Sequence, residues 1–189
     1  MPEAAARKSA LVVIDAQNDV VADAYDRDGV VDRIGGLIEK AKTDGAPVIW
    51  VQHEDDELVK GSDGWQIVEA IRPDAEDIVV SKRYNDSFAE TSLRETLDRL
   101  GVQHLVIAGA ATDWCVRATT VRALAEGFDM TLVEDAHTTK DSEFDMTDGE
   151  KVPLTAKQVI ANTNMFCCWA SYPGVTSTIT PAAEVEFAT

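Results

Sequence analysis

A chain of 189 residues that is 45% hydrophobic holds enough apolar material for one folded domain; such a domain buries roughly 70% of its unfolded surface, with no need of disulfides or a structural metal. Its 34 Asp and Glu against 17 Lys and Arg leave a net charge of −17, which repels nucleic acid and anionic membranes and favours a small molecule or a protein as partner. The longest apolar runs are strand-sized, far short of the roughly 20 residues of a membrane span, and Met1 to Ser9 contain no apolar stretch of signal-peptide length, so a cytoplasmic address is expected.

Short runs rich in Val and Ile alternate with helix-period segments, the pattern of parallel strands buried on both faces. Ala10 to Ile14 is the first strand. Val30, Ile34, Leu37, Ile38 and Ala41 then repeat at helical spacing, and Asp44-Gly45-Ala46-Pro47 stops that helix before a second strand, Val48 to Val51. Residues 53 to 65 are polar and contain Gly61, Ser62, Asp63 and Gly64, a surface loop placed to cover a site. Ile78 to Ser81 is a third strand, Thr91 to Leu100 a helix ended by Gly101, and His104 to Ala108 a fourth strand running into Gly109-Ala110-Ala111-Thr112. Asp113 to Glu126 reads as a helix, Met130 to Val133 as a fifth strand, and residues 137 to 151 as loop. A last helix, Thr155 to Ala161, leads to a sixth strand around Met165 to Ala170 and an irregular tail containing Pro173, Gly174 and Pro181. The alternation predicts an α/β fold, a doubly wound α/β/α sandwich with functional loops at the carboxyl ends of its strands. One domain over residues 1–189 is expected, with 1–8 and 176–189 as peripheral tails.

Three reactive side chains fall where that topology places a site. Asp15 closes the first strand, Lys82 closes the third, and Cys115 follows the fourth on the first turn of a helix. A helix N-terminus and a neighbouring ammonium both favour thiolate, so Cys115 is expected to be an acidified nucleophile. Asp15 is placed to take its proton and return it to a leaving nitrogen, and the backbone N–H groups of Ala111 and Cys115 to hold an oxyanion. Each feature alone is weak, since a lone cysteine is more often an inert core residue.

Together these residues carry a resemblance. Leu11-Val-Val-Ile-Asp15-Ala-Gln-Asn-Asp19, the Val79-Val-Ser-Lys82 strand end with Ser87-Phe88 and Thr91 beyond it, and Ala108-Gly-Ala-Ala-Thr-Asp-Trp-Cys115-Val116 resemble the isochorismatase-like cysteine hydrolases. Thr119-Thr120, Ala123, Gly127 and Asp135-Ala136 also fall on that family's pattern, and the likeness runs from about Ser9 to Asn164. It implies a six-stranded parallel, Rossmann-like sheet, a catalytic Asp15-Lys82-Cys115 triad, a non-proline cis peptide between Ala110 and Ala111, and a homo-oligomer. The family's nicotinamidases bear a metal-binding Asp-x-His where this chain has Val51-Gln52-His53, so neither a metal nor another cofactor is expected. True isochorismatases replace the nucleophilic cysteine, so Cys115 points to hydrolysis of a small amide, lactam or carbamoyl compound through a covalent acyl-enzyme. Gly61-Ser62-Asp63-Gly64-Trp65 and Asp135-Ala-His-Thr-Thr139 are similar to segments of streptothricin-type hydrolases.

Gln17, Trp65 and Trp114 are the candidates for substrate contact; Asp86 and Asp135 read as loop anchors. His53, His104 and His137 stand singly and are assigned no catalytic part, His53 at most lining the cleft. Cys167 and Cys168, too close in sequence to bridge without strain, read as reduced strand core. The rival reading is a redox or stress protein whose low-pKa Cys115 is reversibly oxidised; a silent oligomeric scaffold is a third.

Overall fold

The computed structural model describes residues 7–189. In chain order the elements are β1 (Ser9–Ile14), α1 (Asn18–Val21), α2 (Arg27–Asp44), β2 (Val48–His53), β3 (Ile78–Lys82), α3 (Leu93–Leu100), β4 (His104–Ala110), α4 (Arg117–Ala125), β5 (Asp129–Thr138), β6 (Ser142–Asp145), β7 (Lys151–Leu154), α5 (Ala156–Trp169) and β8 (Ser177–Thr180). Six strands form one parallel sheet in the order β3-β2-β1-β4-β5-β8, and β6 and β7 make a separate antiparallel hairpin. Successive strand residues face opposite sides, as a pleat requires. Leu11 and Val13 join α2 residues Ile34, Leu37 and Ile38 in one core, while Ala10, Val12 and Ile14 join Leu93 and Leu97 of α3, Ala123 and Leu124 of α4 and Cys167 of α5 in the other. Helices thus cover both faces, and burial of each such Leu or Ile contributes roughly 1.5–3 kcal/mol.

Local signals set most of the boundaries. Gly45, at φ 76°, closes α2 in the left-handed conformation and returns its N–H to Ala41 and Lys42 carbonyls. Thr155 and Gln158 form a reciprocal capping box that starts α5. That helix corrects the expectation of a short helix followed by a strand at Met165 to Ala170. The inward positions are Ala156, Thr163 and Cys167, spaced by seven and four, whereas Met165, Cys168 and Trp169 are exposed, a helical period rather than an alternating one. Cys168 therefore lies on the surface and only Cys167 in the core.

The sixth strand comes instead from residues expected to be tail. β8 pairs with β5 from Met130↔Ser177 to Val133↔Thr180, and Ala188 O accepts the N–H of Ser9. Of the expected N-terminal tail, residues 1–6 lie outside the described residues, while Arg7 pairs with Asp129 and Lys8 O accepts from Gln103 and His104. β5 also runs past its expected end: Ile107 faces Leu132 but Gly109 faces His137, so residues 133–136 bulge and His137 and Thr138 rejoin the sheet. No helix among the described residues is long and apolar enough to cross a membrane.

Candidate active site

The chain winds outward in opposite directions from the β1–β4 boundary, and the crevice outside the carboxyl ends of strands at such a switch point is the usual place for a ligand. Asp15 follows β1 there, and Cys115 follows β4. Gly109, at φ 123°, lets these strands approach: a Cβ on it would stand 2.0 Å from the Ile14 carbonyl oxygen, the residue before Asp15. Asp15 itself adopts φ 45°, the left-handed region that aspartate tolerates better than most residues, and its N–H donates to Val51 O at 2.9 Å.

The structure brings the three predicted residues into contact. Lys82 Nζ lies 2.6 Å from Asp15 Oδ2 and 3.1 Å from Cys115 Sγ, and the Lys82 and Asp15 side chains are 0% and 1% exposed. Asp15 Oδ1 is buried with no hydrogen-bond partner among the described residues. Burial raises the Asp15 carboxyl above the ordinary carboxylate range, with the Lys82 charge opposing.

Cys115 differs from expectation in its protonation. It belongs to a π-helical turn, Thr112–Val116, in which Val116 N–H reaches back to Ala111 O, and α4 begins only afterwards. Cys115 belongs to the same apolar cluster as Ile14, Val51 and Phe88, and its thiol is pushed up to about 12, first by burial, then by the negative charge of Asp15, with Lys82 opposing. The resting group is therefore a thiol. Loss of solvation outweighs the helix terminus, which runs against the expected acidified cysteine. The Ala110–Ala111 peptide preceding the turn is cis.

The turn is held from behind. Asn164 Nδ2 donates to Glu134 O, so Asn164 Oδ1 faces His137 and takes the hydrogen of its Nε2 at 2.9 Å. His137 Nδ1 is then the acceptor for the Thr112 hydroxyl, also at 2.9 Å, and burial keeps the imidazole neutral. Thr139 Oγ1 donates to Asp113 Oδ1 at 2.7 Å. The β5 bulge thus delivers two side chains that fix the Cys115 turn, a role that a sequence with scattered histidines does not announce.

Gln17 proves to be a strap rather than a substrate contact. Its Nε2 donates to His53 O and Trp65 O, its Oε1 accepts the His53 N–H, and the residue is wholly buried. With every polar atom of its side chain engaged, it ties β2 and the 54–64 loop to the site. Trp65 is half-buried, its carbonyl shared by Gln17 and Gln52 and its indole N–H buried without a partner among the described residues. Trp114 is 61% exposed, pointing outward beside the inward sulfur. Asp86 and Asp135 do anchor loops, accepting the N–H groups of Phe88 and Ala182 at 2.8 Å.

Asn85, which the sequence reading did not single out, and His53, expected at most to line the cleft, lie beside the three residues. Asn85 Oδ1 stands 3.9 Å from the sulfur, and His53 Nδ1 lies 3.2 Å from Lys82 Nζ. His53 and Lys82 are in-register partners at the ends of adjacent strands, which brings the imidazole to the ammonium. A small cavity of about 190 Å³ lies beside Lys82, lined by Glu54, Ser81, Arg83, Tyr84, Ala89 and Glu90. A larger groove of about 580 Å³ runs past Asp113 and Arg117 between β7 and α5.

The isochorismatase domain model matches residues 9–162. A streptothricin hydrolase of Streptomyces noursei is 35% identical over 138 residues, 70% of this chain and 50% of that protein. A maleamate amidohydrolase of Pseudomonas putida is 37% identical over 79 residues, 42% of this chain and 37% of that protein. The chain spans about half the length of the streptothricin hydrolase it matches. Among solved structures, an isochorismatase from Pseudomonas putida KT2440 superposes with TM-score 0.82 at 29% identity, covering 98% of this chain and 94% of that one. N-carbamoylsarcosine amidase from Thermoplasma acidophilum superposes with TM-score 0.74 at 26% identity, covering 95% and 99%.

Proposed function

The chain belongs to the isochorismatase family, and from that premise we propose that it hydrolyses a carbon–nitrogen bond of a small amide, lactam or carbamoyl compound through an acyl-enzyme on Cys115. The observation that carries this reading is the buried contact set of Asp15, Lys82 and Cys115, in which one Asp15 oxygen has no partner among the described residues. Streptothricin hydrolase, maleamate amidohydrolase and N-carbamoylsarcosine amidase among the similar proteins support the bond class.

In this mechanism the thiol stays protonated until substrate arrives. As Sγ bonds to the carbonyl carbon, its proton passes to Asp15, whose raised pKa narrows the gap between acceptor and thiol. Lys82, an ammonium against both partners, stabilises the sulfur as its proton leaves. The carbonyl oxygen gathers negative charge, and the N–H groups of Ala111 and Cys115 receive it. The C–N bond then breaks while Asp15 returns the proton to the leaving nitrogen. A water attacks the thioester, Asp15 takes its proton, the C–S bond breaks, and the sulfur recovers a hydrogen as the acid departs.

Trp65 and Trp114 are proposed to bound the substrate, Trp65 through its unpaired indole N–H. The chain is further proposed to self-associate: Trp114, Phe144, Met165 and Trp169 are exposed around the turn, the hairpin and α5, a collection of apolar side chains that solvent disfavours. Screening amides, lactams and carbamoyl compounds for release of acid or ammonia, with wild type beside Cys115→Ala, tests the activity. Hydrolysis that survives the substitution would rule out this assignment of the nucleophile.

A further inference from the structure

An ammonium group has three hydrogens to donate and nothing to accept with. Lys82 Nζ has three acceptors around it: Asp15 Oδ2 at 2.6 Å, Cys115 Sγ at 3.1 Å and His53 Nδ1 at 3.2 Å. The third depends on the state of the imidazole, and the surroundings of His53 fix that state. His53 Nε2 lies 3.0 Å from Asp55 Oδ2, while Asp55 Oδ1 accepts the N–H groups of Glu57 and Leu58 at 2.8 and 2.6 Å. Those bonds, the Leu58 N–H foremost, hold the Asp55 carboxyl below the usual carboxylate range. A carboxylate only accepts, so the ring hydrogen resides on Nε2 and Nδ1 is left as a lone pair toward the ammonium. The backbone of His53 is clamped on both sides by Gln17, and the next N–H, that of Glu54, donates to Lys82 O.

We propose that His53, held by Asp55 as its Nε2–H tautomer, is a positioning residue of the site: it takes one ammonium hydrogen of Lys82 and so directs the other two at Asp15 and Cys115. The proposal rests on the reading of those three residues as the catalytic set. An imidazolium at this position would turn an N–H against the ammonium instead of a lone pair. The charged groups in contact with its ring are Lys82 from β3 and Asp55 on its own loop.

Asp55→Asn gives a test that separates positioning from support. The carbonyl oxygen of the introduced amide stays with the Glu57 and Leu58 N–H groups, so its NH₂ turns to Nε2 and drives the ring hydrogen onto Nδ1, against Lys82. Asp55 is 46% exposed, and the substitution leaves the core untouched. Long-range ¹⁵N–¹H spectra of the imidazoles, assigned with His53→Asn, need no turnover and report the tautomer directly. The wild type should show Nε2–H at neutral pH and Asp55→Asn should show Nδ1–H; an Nδ1–H wild type or an unchanged variant would overturn the proposal. In amide hydrolysis, His53→Leu and Asp55→Asn should each lower kcat by roughly 10- to 100-fold with KM little moved, and His53→Asn, which keeps an acceptor near the Nδ1 position, should recover most of it. Equal losses for His53→Leu and His53→Asn would overturn positioning, and a wild type that hydrolyses no amide yet shows the two tautomers would sink the proposed function alone.

Discussion

Asp15 and Lys82 form an ion pair with both side chains removed from water, Oδ2 to Nζ at 2.6 Å. Removing one member of such a pair strands the other charge, which typically costs ~3–5 kcal/mol, whereas replacing both is far less damaging. Asp15→Asn and Lys82→Met should therefore each lower unfolding free energy by about that amount, and the double variant by clearly less than the total of the two. Urea denaturation of the three variants beside the wild type measures it. Simple additivity would mean that the pair is not coupled.

Cys115→Ala should reduce kcat by ~100-fold or more while altering stability little, since the sulfur is a small part of a large apolar cluster. Steady-state kinetics on any amide found by screening, with thermal melts of both proteins, check the two halves of that statement. The pH–rate curve should place the Asp15 limb above the range of an exposed aspartate, because burial raises that carboxyl.

Alkaline stability follows from the two buried thiols. Cys115 and Cys167 are each pushed from 9.0 up to about 12, chiefly by burial. Unfolding releases them to ionise near their ordinary values, so between about pH 9 and 12 the unfolded chain binds fewer protons than the native one. Stability is fully present below that window and falls as pH rises through it, by at most ~1.4 kcal/mol per unit for each thiol. Denaturation at a series of pH values should show a shallower fall for Cys167→Ala than for wild type.

Gly109→Ala should be severely destabilising, by ~3 kcal/mol or more, because both the φ of 123° and the 2.0 Å approach to Ile14 O forbid a side chain. A backbone carbonyl in a central strand cannot step aside. Any folded fraction should also lose activity, since Asp15 is the next residue after Ile14. Equilibrium denaturation near the wild-type value would contradict the close approach.

Gln17→Ala should act through the 54–64 loop. Loss of its three hydrogen bonds should cost ~1–3 kcal/mol and expose that loop to limited proteolysis. A variant with unaltered stability and proteolysis but a raised KM would restore Gln17 to the substrate.

The central strands and the positions of Asp15, Lys82 and Cys115 were legible because they rest on local patterns: Val- and Ile-rich runs, glycine stops and strand-end placement. What was not legible depends on tertiary pairing. Met165 to Trp169 look apolar enough for a strand, and only the inward Thr163 and Cys167 reveal the helix. Ser177–Thr180 carry a weak strand pattern whose pairing with β5 decides the matter. The ionisation of Cys115 departs from expectation for a similar reason: helix position is written in the sequence, whereas burial of the residue is a product of the tertiary fold. Gln17 looked like a turn residue open to ligand, and its three partners lie 36 and 48 residues away.

The wide turn at Thr112–Val116 leaves the placement of the Cys115 sulfur dependent on a single surplus residue. An ordinary helix advances about 100° per residue, so a one-residue deletion that let this turn relax to α geometry would swing position 115 by roughly that angle around the axis. At position 114 length is therefore under tighter constraint than side-chain identity, and exposed Trp114 should be far more replaceable than it is removable.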